Sequence, residues 1–357
     1  MGLGSEVQLR KLEHVDVVLR ERVEGPSTTW LEYVFLVHQA SSEVSLSDVN
    51  LETPFLGKEL KAPVMITGMT GGAPDTEKIN GRLAEVAEKF GIAIGVGSQR
   101  AAIEDPSLEQ TFRVVRERAR SVPVVGNIGA HEFVKYDLNQ INRLIEMLDA
   151  DALAVHLNLT QEVAQPEGTP NFSGLISKVR LVVKEFSTPI MIKEVGQGLS
   201  YEVVKELSEA GVKLFDVAGA GGTNWVLVEK YRARKISSKL KELIAANLAE
   251  WGIPTAASII EARIAAPNSV IVGSGGIRSS VDAVKALRIG ADLVGLAAPV
   301  LKAYYGGYLE EFLQAFIHGL KALIALTGSK NLNELRRKPV IITSILREWL
   351  LNRGFSL

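Results

Sequence analysis

The densest group of reactive side chains in this 357-residue chain is the seven-residue run His156-x-Asn158-x-x-Gln161-Glu162. An imidazole, two amides and a carboxylate at that spacing supply acid–base groups, hydrogen-bond donors and one hard-cation ligand. An amide does not ionise, so Gln161 binds or polarises rather than titrates. Glu162 alone is too little for an all-protein Mg²⁺ cage, but it suffices where a phosphorylated substrate supplies further oxygens. A self-satisfied surface loop is the plain alternative. Lys193 closes the apolar run Pro189-Ile190-Met191-Ile192. There it is a Schiff-base nucleophile, a fixed cation beside an anionic ligand, or the ion-pair partner of Glu194. Ser274-Gly275-Gly276 and Ala297-Ala298 form small-residue turns that let backbone N–H groups approach a phosphate. Gly68-Met69-Thr70-Gly71-Gly72 lets a flat ring approach the backbone, with Thr70 as a hydrogen-bond partner, or it is an ordinary turn. Arg10, Lys11, His14 and Arg100 are basic groups able to hold a second, diphosphate-like ligand, although a charged pair near a terminus is ordinarily just solvated.

Other chemistries lack their signatures. There is no P-loop, His131-Glu132 lacks the second histidine of a zinc-protease helix, and no Gly-x-Ser-x-Gly marks a nucleophile elbow. With no cysteine, disulfides, thiolate nucleophiles and cysteine-ligated metals are excluded.

The elements that position these residues show as eight short apolar runs. They are Pro63–Ile66, Ile92–Val96, Pro123–Gly126, Ala152–Val155, Pro189–Ile192, Leu214–Val217, Val270–Gly273 and Leu293–Leu296, each ending in a Gly-rich or polar cluster and separated by helix-period segments. Buried strands alternating with helices predict an α/β fold with a parallel sheet, and eight units predict a closed (β/α)8 TIM barrel with its chemistry at the C-terminal rim. We expect one domain spanning residues 1–357, with an N-terminal extension over 1–60, the barrel over 61–305 and extra C-terminal helices over 306–357. Within the extension, Val15–Leu19 and Glu32–Val37 alternate and read as strands covering the barrel's N-terminal end. Helices are expected over about 75–90 and 255–266. The long connection after the sixth run carries the basic stretch Glu229–Lys235, and residues 226–250 read as a mobile segment that closes over substrate. Lys plus Arg number 40 against 41 Asp plus Glu, a net charge of −1 that gives no electrostatic case for nucleic acid or an acidic membrane. No apolar stretch approaches the ~18–20 residues of a membrane span. The N-terminus has no signal-peptide core, and Glu6 stands where a myristoylation motif needs Ser or Thr. A cytoplasmic location is expected.

Taken in order, these motifs resemble type 2 isopentenyl-diphosphate isomerase, the FMN-dependent isomerase family. The likeness runs from Arg10-Lys11-Leu12-Glu13-His14 through Met69-Thr70-Gly71-Gly72, Gly97-Ser98-Gln99-Arg100, Asn127-Ile128-Gly129, His156-Leu157-Asn158 and Gln161-Glu162. It continues through Gln165-Pro166-Glu167-Gly168, Lys193-Glu194-Val195-Gly196 and Gly221-Gly222-Thr223-Asn224-Trp225 to Gly273-Ser274-Gly275-Gly276-Ile277-Arg278. Gly-Ser-Gly-Gly-Ile-Arg recurs in other FMN barrels, whereas Arg-Lys-x-x-His and His-x-Asn-x-x-Gln-Glu are more specific. The resemblance implies interconversion of isopentenyl and dimethylallyl diphosphates by a 1,3-allylic proton shift without net redox change. It implies reduced FMN as acid–base catalyst, NADPH or NADH as reductant, and Mg²⁺. It assigns FMN to Gly68, Met69, Thr70, Ser98, Asn127, Lys193, Thr223, Gly275, Gly276, Ile277, Ala297 and Ala298. The diphosphate substrate falls to Arg10, Lys11, His14, Ser98, Gln99, Arg100, His156, Asn158, Gln161 and Trp225. Glu162 meets the metal, and Gln161, His156 and Lys193 serve catalysis. The resemblance also implies a homo-oligomer, a tetramer or octamer. The rival expectation is an FMN-dependent oxidoreductase of the 2-hydroxy-acid oxidase type on the same barrel.

Overall fold

The computed structural model describes residues 13–355. Its eight barrel strands are β1 (Val64–Ile66), β2 (Ala93–Gly95), β3 (Val124–Gly129), β4 (Ala152–Leu157), β5 (Ile190–Glu194), β6 (Leu214–Asp216), β7 (Val270–Gly273) and β8 (Leu293–Leu296). They pair in parallel and close in the order β7-β8-β1-β2-β3-β4-β5-β6. Helices cross between them, as parallel pairing requires.

Side-chain alternation divides each strand between two cores. Met65, Ala93, Val125, Ala152, Ala154, Met191, Leu214, Val272 and Leu293 fill the barrel interior. Their neighbours, among them Val64, Ile94, Val124, Leu153, Ile192, Phe215 and Ile271, pack outward against the helices. Two residues beyond an inward apolar residue, the same face reaches the rim. Asn127 thus stands above Val125, His156 above Ala154, Lys193 above Met191 and Asp216 above Leu214. The register confirms a row across four strands, pairing Gly129 with His156, His156 with Lys193 and Lys193 with Asp216.

The other end of the barrel is closed by a hairpin of Thr53–Phe55 and Lys58–Leu60, whose Phe55 and Leu60 join the interior cluster. Its two-residue turn has φ of 51° at Leu56 and 74° at Gly57, the left-handed pair that a type I′ turn requires. The two segments expected to cover that end lie elsewhere. Residues 13–20 are helical, because Val15, Val18 and Leu19 recur at helical spacing, and this helix lies over the opposite rim. Val34–Leu36 is a strand, but it pairs antiparallel with Val340–Ile342 on the outer side of the barrel.

Helices Thr76–Phe90 and Thr255–Ala265 lie where the periodicity places them. Residues 226–250, read as a lid, form most of two helices, Trp225–Lys235 and Lys239–Leu248. Beyond the barrel come Leu309–Leu326, Leu332–Leu335 and Ser344–Asn352, with the strand Val340–Ile342 among them. No helix among the described residues is long and apolar enough to cross a membrane.

Candidate active site

The strand ends and their following loops enclose one cavity of about 450 Å³ at the C-terminal rim. Helix 13–20 contributes His14, Val15 and Val18 to its wall. Every expected site residue from His14 onward lines it, except Gln99. Gln99 is fully buried: its Nε2 donates to the Leu144 carbonyl at 2.8 Å and its Oε1 accepts from Asn127 N–H at 2.8 Å. Ser98 and Arg100 face the cavity while Gln99, between them, turns the other way, so its assignment to the substrate is corrected to a support for β3. Arg10 and Lys11 lie outside the described residues.

Close backbone approach dominates one part of the wall. Gly275 and Gly276 have φ of 93° and 78°. A Cβ on Gly275 would stand 2.2 Å from the Gly219 carbonyl oxygen, and one on Gly276 would stand 2.5 Å from that of Gly221. The loops after β6 and β7 therefore meet backbone to backbone, which only glycine permits. Arg278 locks the pair by donating to the Gly276 carbonyl at 3.0 Å and the Gly221 carbonyl at 2.9 Å. Ala297 and Ala298 open the nine-residue helix Ala298–Gly306 beside this cradle. Backbone N–H groups at a helix start and a glycine turn form a phosphate-type cradle. Nearby, Thr70 lines the cavity with a buried hydroxyl that has no protein partner. A buried polar atom of this kind asks for a ligand. Cradle and hydroxyl together fit a flat, phosphorylated cofactor such as FMN.

The hydrogen-bond network fixes the polar groups on the strand ends. Asn127 Nδ2 donates to the Val96 carbonyl at 3.0 Å, so its Oδ1 is the acceptor for His156 Nδ1 at 2.9 Å. His156 therefore carries its proton on Nδ1 when neutral. Lys193 Nζ donates to the Glu194 main-chain carbonyl at 2.7 Å. The Glu194 carboxylate points outward from the strand and accepts from Val195, Gly196 and Gln197 N–H at 2.6, 2.8 and 2.6 Å. Burial raises Glu194 to about 7 against the pull of those three donors and Lys193. Asp216, fully buried, accepts from Ser274 Oγ. Burial raises its pKa, opposed by the charge of Lys193, by Ser274 and by the Ala218 N–H.

Asn158, Gln161 and Glu162 follow β4 on the short helix Leu159–Ala164 and its cap. Asn158 Nδ2 donates to Glu162 Oε1 at 3.0 Å, and Thr169 N–H donates to Glu162 Oε2 at 2.8 Å. Beneath them lies a carboxylate that composition and spacing do not reveal. Glu229 is fully buried; it accepts from Gln161 Nε2 at 2.9 Å and Arg232 Nη1 at 2.6 Å, and contacts His14 Nε2 at 3.1 Å. Burial pushes its pKa up, but His14, Arg232 and Gln161 outweigh that and hold it at about 2. An ionised carboxylate only accepts, so Gln161 turns its NH₂ to Glu229 and its carbonyl oxygen toward Asn158. Arg232 is tied further to Glu13 at 3.1 Å and Glu167 at 3.0 Å. The basic stretch within the segment that reads as mobile thus supplies the buried carboxylate and its arginine partner at the site. His14 in turn meets Trp225 edge-on, ring centroids 5.1 Å apart. Among the described residues no three His, Cys, Asp or Glu side chains form a cluster able to hold a metal unaided.

Known proteins resemble this chain in sequence and fold. The FMN-dependent dehydrogenase family model matches residues 142–342. A mandelate oxidase mutant carrying a monooxide FMN adduct superposes with a TM-score of 0.63 at 17% identity, over 92% of this chain and 95% of its own. Lactate oxidase from Pediococcus acidilactici gives 0.68 at 15%, over 96% and 94%. At such identities these two carry the barrel and nothing finer. Isopentenyl-diphosphate delta-isomerases from Ignicoccus hospitalis and Sulfurisphaera tokodaii are 48% and 47% identical over 98% of this chain, covering 97% and 95% of theirs. The isomerase of that name from Aeropyrum pernix is 45% identical over 99% of this chain and 95% of its own. On this identity and coverage, the chain belongs to the isopentenyl-diphosphate delta-isomerase family, on an FMN-dependent dehydrogenase barrel.

Proposed function

We propose that the protein interconverts isopentenyl diphosphate and dimethylallyl diphosphate by a 1,3-allylic proton shift. The observation that carries this reading is one cavity lined both by the glycine turn around Gly275 and Gly276 and by the basic and polar side chains of Arg100, His156, Asn158 and Gln161. The first suits a cofactor phosphate and the second a substrate diphosphate. Bound FMN, reduced by NADPH or NADH, would supply the proton donor and acceptor. The chain's own residues position and stabilise. Lys193, on the cavity wall, would supply a preorganised positive charge that stabilises the anionic reduced flavin. Thr70 and Asn127 supply polar contacts, and Met69 packs apolar surface beside the ring. Arg100, His156 and Ser98 hold the diphosphate, joined by His14 and by Arg10 and Lys11, which precede it in sequence. Glu162 would be the chain's ligand to a Mg²⁺ ion that neutralises the diphosphate charge. Trp225 walls the hydrocarbon and faces developing positive charge. We also infer a homo-oligomer, supported by the exposed Phe35 and Ile341 on the paired outer strands.

The oxidase reading is weaker, because the likeness to the two oxidases reaches only the fold. An anaerobic assay with isopentenyl diphosphate, FMN, Mg²⁺ and NADPH, each omitted in turn, tests the proposal. Dimethylallyl diphosphate that disappears without FMN or reductant is expected. Flavin binding with net oxidation of a hydroxy acid and no isomerisation would refute it.

A further inference from the structure

We propose that Glu132 is a specificity-determining residue of the diphosphate site: it holds Arg100 in an internal ion pair that an incoming ligand must displace. This rests on the assignment of Arg100 to the substrate diphosphate above. Glu132 stands in the first turn of helix Ala130–Lys135, directly after β3. Arg100 Nη1 donates to its Oε1 at 2.7 Å, and both side chains line the cavity. A Cβ built on Gly129 would lie 2.6 Å from Glu132 Oε2 and 3.2 Å from His156 Nε2. The carboxylate and the imidazole therefore share the space above that glycine, inside the region that must receive the diphosphate. A second acid, Glu104, approaches Arg100 Nε at 3.2 Å from outside the cavity wall.

None of the acid–base, cofactor or cation roles uses Glu132. A negative charge on the wall of an anion site both repels the ligand and competes for the guanidinium. The competitor is tethered, so it acts at high effective concentration. A ligand replaces it only by bringing more charge and more contacts than one carboxylate. Inorganic phosphate offers a single anionic centre, whereas a diphosphate offers two, engaging Arg100 together with His156 and Asn158. Glu132 thus lowers affinity for all anions and lowers it most for the short ones, the repulsive element that specificity needs.

The test is calorimetric titration of the FMN-loaded full chain with inorganic phosphate and with pyrophosphate. The proteins are wild type, Glu132→Gln, Glu132→Ala, Arg100→Gln and the Glu132→Gln/Arg100→Gln double variant, with steady-state isomerisation measured in parallel. Both Glu132 variants should bind pyrophosphate about tenfold more tightly, the order expected for removing one charge at a partly exposed site. Phosphate affinity should rise more than pyrophosphate affinity. KM for isopentenyl diphosphate should fall while kcat does not rise. The gain should be clearly smaller when Arg100 is already Gln, since the competition has gone and only the direct repulsion remains. Unchanged or weaker anion binding in both Glu132 variants would overturn the proposal, as would an equal gain with and without Arg100. If wild type isomerises and binds pyrophosphate but the variants match it, this inference alone fails. If wild type does neither, the functional proposal fails first.

Discussion

Replacing Glu229 by Gln separates an anchor from a lid. The carboxylate has no exposed surface and is held at about 2 rather than the ordinary 4.5. That difference corresponds to about 3 kcal/mol of native-state stability at neutral pH. Its sign follows from the depressed value. The contribution is complete above about 4.5 and is lost as pH falls toward about 2. Gln keeps the shape and removes the charge. Arg232 retains Glu13 and Glu167, so the net loss at pH 7 should be about 2 kcal/mol, below the 3–5 typical of breaking an isolated buried pair. An unfolding entropy of roughly 0.75 kcal/mol/K for this chain length converts that to a fall of about 3 °C in Tm. Calorimetry at pH 7 reads it. The neutral side chain also no longer dictates which way the Gln161 amide faces. Misplacing a positioning group costs on the order of 10- to 100-fold, so kcat should fall by about tenfold or more. Limited proteolysis should cut helix Trp225–Lys235 faster in the variant than in wild type. A variant with wild-type Tm, kcat and proteolysis would show that Glu229 anchors nothing and would return residues 226–250 to the status of a free lid.

Three further outcomes follow from the same geometry. Gly275→Ala drives a methyl to 2.2 Å from the Gly219 carbonyl oxygen, so the purified protein should lose flavin absorbance and bind FMN at least about 100-fold more weakly, read by fluorescence titration. Glu162→Gln should raise the Mg²⁺ concentration for half-maximal activity by about 10- to 100-fold while leaving FMN binding intact, and excess chelator should abolish wild-type activity reversibly. Glu194 is raised from 4.5 to about 7, so the native state binds the extra proton and wild-type stability falls as pH rises through that window. Tm of Glu194→Gln relative to wild type should therefore increase between pH 5 and pH 8, and a constant difference would count against the buried-carboxyl account.

The barrel was legible because its strands are apolar on both faces. Each run is short, ends in glycine or a polar cluster, and sits one helix from the next, a pattern with few alternative packings. The closure of the opposite end was not legible. Thr53-Pro54-Phe55 carries a proline on an edge strand, and its Leu56-Gly57 turn lacks the Asn-Gly or Asp-Gly signal of a hairpin. Val15–Leu19 misled because valine-rich segments favour strands locally. Tertiary packing decides for a helix, with Val15 and Val18, three apart, both lining the cavity.

At the site, legibility follows side-chain direction. His156 and Lys193 could be read because each stands two residues past an inward-facing apolar residue, so strand alternation alone brings it to the rim. Gln99 was misread because Ser98 and Arg100 on either side do face the cavity, whereas Gln99, capping the helix Arg100–Glu104, turns inward to the Leu144 carbonyl and the Asn127 N–H. Glu229 was hidden for a different reason. Five of the residues in Glu229–Lys235 are charged, and such a run ordinarily marks solvent. Its burial depends on His14, 215 positions earlier in the chain, and on Gln161, 68 positions earlier. No local pattern encodes contacts across such separations. A charged side chain enters the interior only where partners from distant elements converge on it, so the buried ion that orients Gln161 becomes visible only once the barrel has closed.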